Sequence, residues 1–582
     1  MALVADDASI DWCCLPRFDN PSIFGRLLDS RRGGFWQIAP LGRYTARQQY
    51  ADKTNILRTI FETPTGRGVV TDFMPADAND VRQHARPHQH PRIVRFITGL
   101  TGRVRFRQEV DLRPAYGEEG NVLSASDQVL HGDAGDHHYC LSGTVPLTGL
   151  SQDLEVAPGE AIALALGVNR SGHCARRLTE IEEARRLLRA TQMYWWQWIS
   201  RCTYEGPFQV HVWRSALTLK LMTYAPTGAL VAAPTTSLPE WIGGSRNWDY
   251  RFTWLRDASF TLYALFQLGY ASEAHDFMNW LGEKAFNSGL ENFYNLDGDA
   301  SPPERTLDHL DGYRGSRPVR VGNGAANQLQ LDTYGELLDS AYLYARYGGS
   351  INRRLWSGLR RVVDAACERW QENDASIWEV RGQPQPFTYS KVMCWVAVDR
   401  GIKIARRLKL PANLDHWGRV RTQIHAAVMR HGWSDRLSAF TQAFGMEQID
   451  AAALRLTQVR FLNRRDPRLR STILAVDSRL STGPIVYRYR AAETDDGQRG
   501  KEGAFLICSF WLADALAHIG ELEEAQRRFE RLLAFASPVG LFSEEVHPVT
   551  GSLLGNYPQA FSHLSLITAA VNIERERHNT LA

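Results

Sequence analysis

Glu379 stands in SIWEVRG between Trp378 and Val380, and Glu544 stands in GLFSEEVHP with Glu545 directly after it. Apolar neighbours disfavour the charged form of a carboxyl, which suits Glu379 to giving up a proton near neutral pH. The Gly- and Pro-rich loop around Glu544 offers a polar setting in which a carboxylate stays ionised. Hydrolysis of a glycoside needs such a pair: one carboxyl protonates the leaving oxygen and the other activates water on the opposite face of the ring. Taken singly, each glutamate also fits a plainer reading, as an ordinary partner for an arginine such as Arg381 or as part of a solvated acidic turn.

Two further loop-borne clusters carry polar side chains suited to hydroxyl groups. In GGSRNWDYRFTWLRDASF, Arg256 and Asp257 open a helix, where the dipole favours a carboxylate and an arginine can present its rigid fork. Helix capping with a salt bridge is the alternative there. In SRPVRVGNGAANQLQLDTYGE, Arg320, Asn323, Gln328 and Asp332 gather hydrogen-bonding groups beside a glycine turn. No Lys-Ser/Thr pair follows GNG, so a phosphate loop is excluded. Lys391 lies downstream of Glu379 in the third cluster, Ser376 to Arg400.

The elements that must position these groups change period along the chain. Val104, Phe106, Val110 and Leu112 alternate, with Gln108 interrupting their face, and short runs at Phe35–Ile38, Ile93–Ile97 and Ala161–Leu166 read as further strands. Residues 1–175 are therefore expected to form an antiparallel β-sandwich, and residues 176–205 a linker helix. From 206 to 582 the spacing is helical: Val210, Trp213, Leu217, Leu221 and Tyr224 share one face, as do Leu355, Leu359, Val362, Ala366 and Trp370, and Leu522, Ala525, Phe529 and Leu532. Further helices are expected near 258–268, 272–286, 333–347, 389–408, 416–430, 504–517 and 558–573. Ten or more helices with long functional loops predict a helical toroid, and the lack of strand–helix alternation argues against a TIM barrel or doubly wound sheet.

Composition narrows the function. The 582 residues carry 67 Lys+Arg against 64 Asp+Glu, a net charge of +3 with no basic stripe, so nucleic acid is not an expected partner. No apolar run is long enough to cross a membrane, and MALVADDASIDW lacks the regions of a signal peptide, so a cytoplasmic location is expected. Eight scattered cysteines without a CxxC pair predict reduced, mostly buried thiols. His84, His88 and His90 are read as a solvated loop, since Pro87 and Pro91 spoil a helical ligand face, and no metal site is expected. The 17 tryptophans suit either a helical core or stacking on pyranose rings.

The four clusters in this order, the β-then-α division and the opening SIDWCCLPRFDNPSIFGRLLD together resemble glycoside hydrolase family 15, the family of glucoamylases, glucodextranases and bacterial or archaeal trehalases. The resemblance spans the chain. It implies a β-sandwich followed by an (α/α)6 barrel, inversion at the anomeric carbon, and release of β-glucose from a non-reducing end without metal or organic cofactor. It further implies that Glu379 is the general acid and Glu544 the general base, with Glu545 as the one-residue alternative. Arg256 and Asp257 would hold the innermost glucosyl unit, with Trp254 and Trp378 in its wall. Arg320, Asn323 and Lys391 fall in motifs shared with bacterial members and are taken as substrate-binding. Family members carry about a dozen more residues before the ALV segment, so the expectation is either a misassigned start or a missing first strand, each of which would weaken the sandwich.

The expected activity is thus exo-acting α-glucoside hydrolysis of a small molecule, trehalose or a short glucooligosaccharide, with trehalase-type activity favoured over the glucan 1,4-α-glucosidase type. A glycoside phosphorylase would need an anion pocket in place of the second carboxylate. A catalytically inactive carbohydrate-binding protein would have lost one of the two glutamates.

Overall fold

The computed structural model describes residues 1–76, 91–170, 172–174, 177–283, 286, 290–300 and 302–581. It divides into two compact units: Met1–Arg201 with Leu307–Val319, and Cys202–Thr306 with Arg320–Ala582. His84, His88 and His90 lie outside the described residues.

The first unit holds two antiparallel sheets. One contains the strands Ala2–Val4, Ser9–Cys14, Phe35–Pro40, Val104–Asp111 and Ser151–Val156 in that spatial order, with Ser22–Phe24 paired to Ser9–Cys14. The other has eight strands and centres on Ala161–Asn169, Arg92–Gly102 and Gly66–Phe73. The first strand is present, pairing Ala2 with Cys13 and Leu3 with Trp12. Inward side chains of both sheets, among them Trp36, Ile38, Phe106, Phe61, Val70 and Leu164, form one core, as strand alternation requires. Gln108 is fully buried on the apolar face of its strand, its Nε2 donating to the Leu150 carbonyl at 3.4 Å. Arg95, also fully buried, joins the sheets: Nε donates to Asp72 Oδ1 at 2.8 Å and Nη1 to the Trp36 carbonyl at 2.6 Å. Helix α1, Ile181–Ile199, belongs with this unit; Ala76 N–H donates to its Thr191 hydroxyl and its Trp196 Nε1 to the Asp52 carbonyl.

The cysteine expectation is corrected at one pair. Cys140, in the strand His137–Gly143, and Cys174 form a disulfide, while Cys13, Cys14, Cys202, Cys367, Cys394 and Cys508 are free. Cys174 follows the strand Ala161–Asn169 that pairs with the strand of Cys140, and this adjacency, 34 residues apart in sequence, decides pairing and is invisible to composition.

The second unit is an (α/α)6 barrel. Its helices are α2 Gln209–Leu221, α3 Leu255–Gln267, α4 Ser272–Glu283, α5 Asp332–Arg346, α6 Arg353–Arg369, α7 Thr388–Leu408, α8 Leu414–His431, α9 Leu456–Val459, α10 Pro467–Leu480, α11 Leu506–His518, α12 Leu522–Leu533 and α13 Ala560–Leu581. Helices buried nearly all round make the inner ring: α3, α5, α7, α11 and α13, together with the turn Ala451–Arg455 leading into α9. One-faced helices such as α6, α8 and α12 make the outer ring, where only a stripe is buried. The unanticipated α10 has clear signals: Asp466 caps it through Arg468 N–H, Pro467 opens it, and Leu469, Ile473, Val476 and Leu480 are its buried stripe. The loops joining inner to outer helices carry short β-hairpins and all four polar clusters.

Candidate active site

The turn that carries Glu379 lies between α6 and α7 and is held from beneath. Asp374, almost fully buried, accepts hydrogen bonds from the Leu331 and Ser376 amides and from the Ser390 hydroxyl at 2.7 Å. Burial raises its carboxyl to about 6. Gln328 Nε2 donates to the carbonyls of Glu379 and Val380, and the amides of Arg381 and Gly382 both donate to the Asp496 carbonyl. Ser376 and Glu379 adopt left-handed φ angles of 67° and 50°. Such conformations cost about 1 kcal/mol or more each in a residue with a Cβ, so the surrounding bonds must hold them.

Glu379 does not sit in the apolar pocket that Trp378 and Val380 suggest. Its carboxylate accepts from Arg256 Nη1, which also reaches the Ile377 carbonyl. Arg256 in turn holds Asp257 through Nε and Nη2 at 3.2 and 3.0 Å. Burial outweighs that pairing and lifts the Asp257 carboxyl to about 6. Both residues lie in the first turn of α3, as expected, and both are buried. Here Arg256 is committed to two carboxylates, Asp257 and Glu379.

Glu544 approaches from the segment between α12 and α13. Its amide donates to the Asn556 carbonyl and its own carbonyl accepts from Leu506. Its Oε2 is buried without a hydrogen-bond partner. Glu544 therefore lacks the polar, ionising setting that its Gly- and Pro-rich loop suggests: burial, reinforced by Glu240, raises its carboxyl to about 8. Gly555, at φ +71°, leaves the space: a Cβ there would lie 2.6 Å from Glu544 Oε2. Glu545 opens the two-residue strand Glu545–Val546, which Glu544 precedes. Its Oε2 accepts from the Gly503 amide at 2.6 Å. His563 of α13 secures the approach to Glu544: Nε2 accepts from the Phe542 amide at 3.2 Å and Nδ1 pairs with the Ser215 hydroxyl at 3.0 Å. Burial pushes this imidazole down to about 3.

A cavity opens beside the Glu379 turn, lined by Glu379, Trp378, Tyr250, Asn323, Trp248 and Glu240, and by Arg246, Arg381, Arg488 and Asp496 among others, with Glu544 outside the lining. Tyr250 connects the two glutamates, since the charges of both Glu544 and Glu379 act on its phenol, which burial keeps protonated. Trp378 is fixed by Nε1 donating to Asp450 at 2.9 Å. Asn323 spends its Oδ1 capping Ala325. Trp254 lies behind the lining, stacked on Phe293 at 4.4 Å with Arg256 5.2 Å from its ring. Arg320 is tied to the carbonyls of Ser245 and Asn247 and lies against Trp248. Lys391 is buried in α7 and donates to the Glu372 carbonyl, outside the cavity lining.

Sequence reasoning missed Glu240, Trp248, Tyr250 and the segment from Arg488 to Gln498. Arg246 donates to Asp496 Oδ2 at 2.8 Å and to Glu502 Oε2 at 2.9 Å, and Arg488 also grips Glu502. Trp248 and Tyr250 lie inside a cluster already singled out, and the aromatic residues preceding WLRD are the signal that could have flagged them. Among the described residues no group of His, Cys, Asp and Glu side chains could hold a metal ion, and no helix is long and apolar enough to cross a membrane.

A family model for glycosyl hydrolases family 15 matches residues 206–571, and one for a trehalase-like N-terminal region matches residues 1–143. The chain belongs to glycosyl hydrolase family 15 and is a glycoside hydrolase. The trehalase of Mycolicibacterium smegmatis is 40% identical to it over 608 residues, covering 98% of this chain and 89% of that protein. The trehalase of Thermoplasma acidophilum is 35% identical over 589 residues, covering 98% of each. A solved structure of bacterial glucoamylase complexed with acarbose shares the fold, with a TM-score of 0.70 at 13% identity over 98% of this chain and 91% of that one.

Proposed function

We propose that this chain hydrolyses trehalose with inversion, Glu379 acting as general acid and Glu544 as general base. The observation that carries the assignment is the cavity that Glu379 and Tyr250 line together, with the charges of Glu379 and Glu544 both acting on the Tyr250 phenol. Two carboxyls acting on one cavity-lining phenol, Glu379 in the lining and Glu544 buried outside it, fit a general acid and a general base for glycoside hydrolysis. Glu545 is occupied by the Gly503 amide, whereas the charge of Glu544 acts on Tyr250, which favours Glu544 as base. The second carboxyl also weighs against a phosphorylase. The choice of trehalose follows the trehalases that resemble the chain along almost its whole length.

In this reading Arg256 and Asp257 take up the hydroxyls of the innermost glucosyl unit, Arg256 exchanging part of its hold on Glu379 for substrate. Trp254 and Trp378 back that subsite, and Asn323 lines its side. Arg320 acts indirectly, through Trp248, and Lys391 through the segment at Glu372. A cytoplasmic location is part of the proposal; the six free thiols accord with it and the Cys140–Cys174 disulfide runs against it.

The test is a pair of variants. Glu379→Gln lowers kcat on trehalose by about 10³-fold or more, with binding kept, because the proton donor is lost and the shape is not. Its loss on α-glucosyl fluoride, whose leaving group needs no proton, is far smaller. Glu544→Ala lowers turnover of both substrates, since both need activated water. Equal activity of Glu544→Ala and the parent protein would remove Glu544 from the role.

A further inference from the structure

We infer that Trp248, fixed on its edge by Glu240 and against its ring by Arg320 and Arg381, forms the leaving-group side of the cavity and determines which departing pyranose is accepted. The inference rests on the proposed hydrolysis of an α-linked disaccharide through Glu379.

Depth in the cavity separates the two ends. Trp378, 5% exposed, marks the closed end beside Glu379. Trp248 is half-buried, and beyond it Arg381 and Glu304 have side chains 29% and 20% exposed. An exo-acting enzyme holds the non-reducing glucosyl unit at the closed end, so the departing unit must lie toward the open one. Connectivity agrees: Arg381 follows Glu379 by two residues in the same turn, on the side of the group that protonates the departing oxygen.

The wall is built to stay in place. Trp248 Nε1 donates to Glu240 Oε1 at 2.8 Å. The guanidiniums of Arg320 and Arg381 lie 4.6 and 4.4 Å from the ring centroid. Glu304 clasps both, taking Arg381 at 3.1 and 2.6 Å and Arg320 Nε at 3.3 Å, and it also accepts from the Gly324 amide at 2.9 Å. Partly exposed ion pairs of this kind add little to stability, so their concentration at the cavity mouth points to recognition. An indole framed by guanidinium N–H edges matches a pyranose, which presents apolar C–H faces and a rim of hydroxyls.

Trp248→Leu and Glu304→Gln are tested in the full chain for kcat/KM on trehalose and on α-glucosyl fluoride, which has no departing ring. Both variants are expected to lose about tenfold or more on trehalose while staying within about twofold of the parent protein on the fluoride. Equal losses on both substrates, or no loss on trehalose, would overturn the inference. If Trp248→Leu does not fold, Glu304→Gln decides, since it releases both arginines and leaves the indole intact. A parent protein that cleaves maltose or isomaltose but not trehalose would sink the proposed substrate alone, and the same ratio measured on the accepted disaccharide would then judge the role of Trp248.

Discussion

At the scale of residues, the two glutamates differ most in what touches them. Glu379 faces Arg256, and Glu544 faces Tyr250 and the charge of Glu240. Both glutamates were legible because each stands in a short, distinctive loop motif. Their surroundings were not: the Arg256–Glu379 contact spans 123 residues and the Arg246–Asp496 contact 250, distances over which spacing carries no information. The choice between Glu544 and Glu545 turns on what each meets: Glu545 is held by the Gly503 amide, while the charge of Glu544 acts on the cavity-lining Tyr250. Tyr250→Phe tests the base side. The phenol lines the cavity in the field of both glutamates, so its loss should lower kcat on trehalose about tenfold or more while the protein stays folded. An unchanged kcat would disconnect Tyr250 from Glu544.

At the scale of elements, helix periodicity placed the inner and outer helices well, because a buried stripe every three to four residues is a local property. It passed over α10, whose Asp-Pro cap and apolar stripe are equally local, since charged residues crowd the other positions of PRLRSTILAVDSRL. The sequence does not reveal how α13 braces the loop of Glu544. His563 does this as a neutral imidazole, accepting from Phe542 and pairing with Ser215. Its folded pKa lies near 3 against 6.5 for the free side chain, so the unfolded chain binds the extra proton between those values. The stability it contributes is therefore complete above pH 6.5 and is lost as pH falls toward 3, at about 1.4 kcal/mol per unit. Thermal melts from pH 7 to pH 4 should show a slope smaller by one proton in His563→Gln than in the parent protein. Identical slopes would mean that His563 is not held neutral.

At the scale of the whole molecule, the division into a sheet unit and a helical unit follows from the change in hydrophobic period near residue 175. The return of Leu307–Val319 to the first unit does not, because a loop excursion leaves no periodic trace. The Cys140–Cys174 bridge closes a loop of 34 residues in the first unit, for which chain-entropy reasoning gives about 3–4 kcal/mol. Cys174→Ser should lower the melting temperature under oxidising conditions and leave kcat at 25 °C unchanged, since every residue lining the cavity belongs to the second unit. An altered kcat with an unaltered melting temperature would contradict that separation. The central claim, inverting hydrolysis of trehalose, has a direct signature. Inversion at one anomeric carbon gives β-glucose, while the departing sugar keeps its α configuration. Proton NMR of trehalose in the first minutes should therefore show α- and β-glucose forming in equal amounts. Formation of α-glucose alone would establish retention, and either that result or no turnover of trehalose would contradict the account.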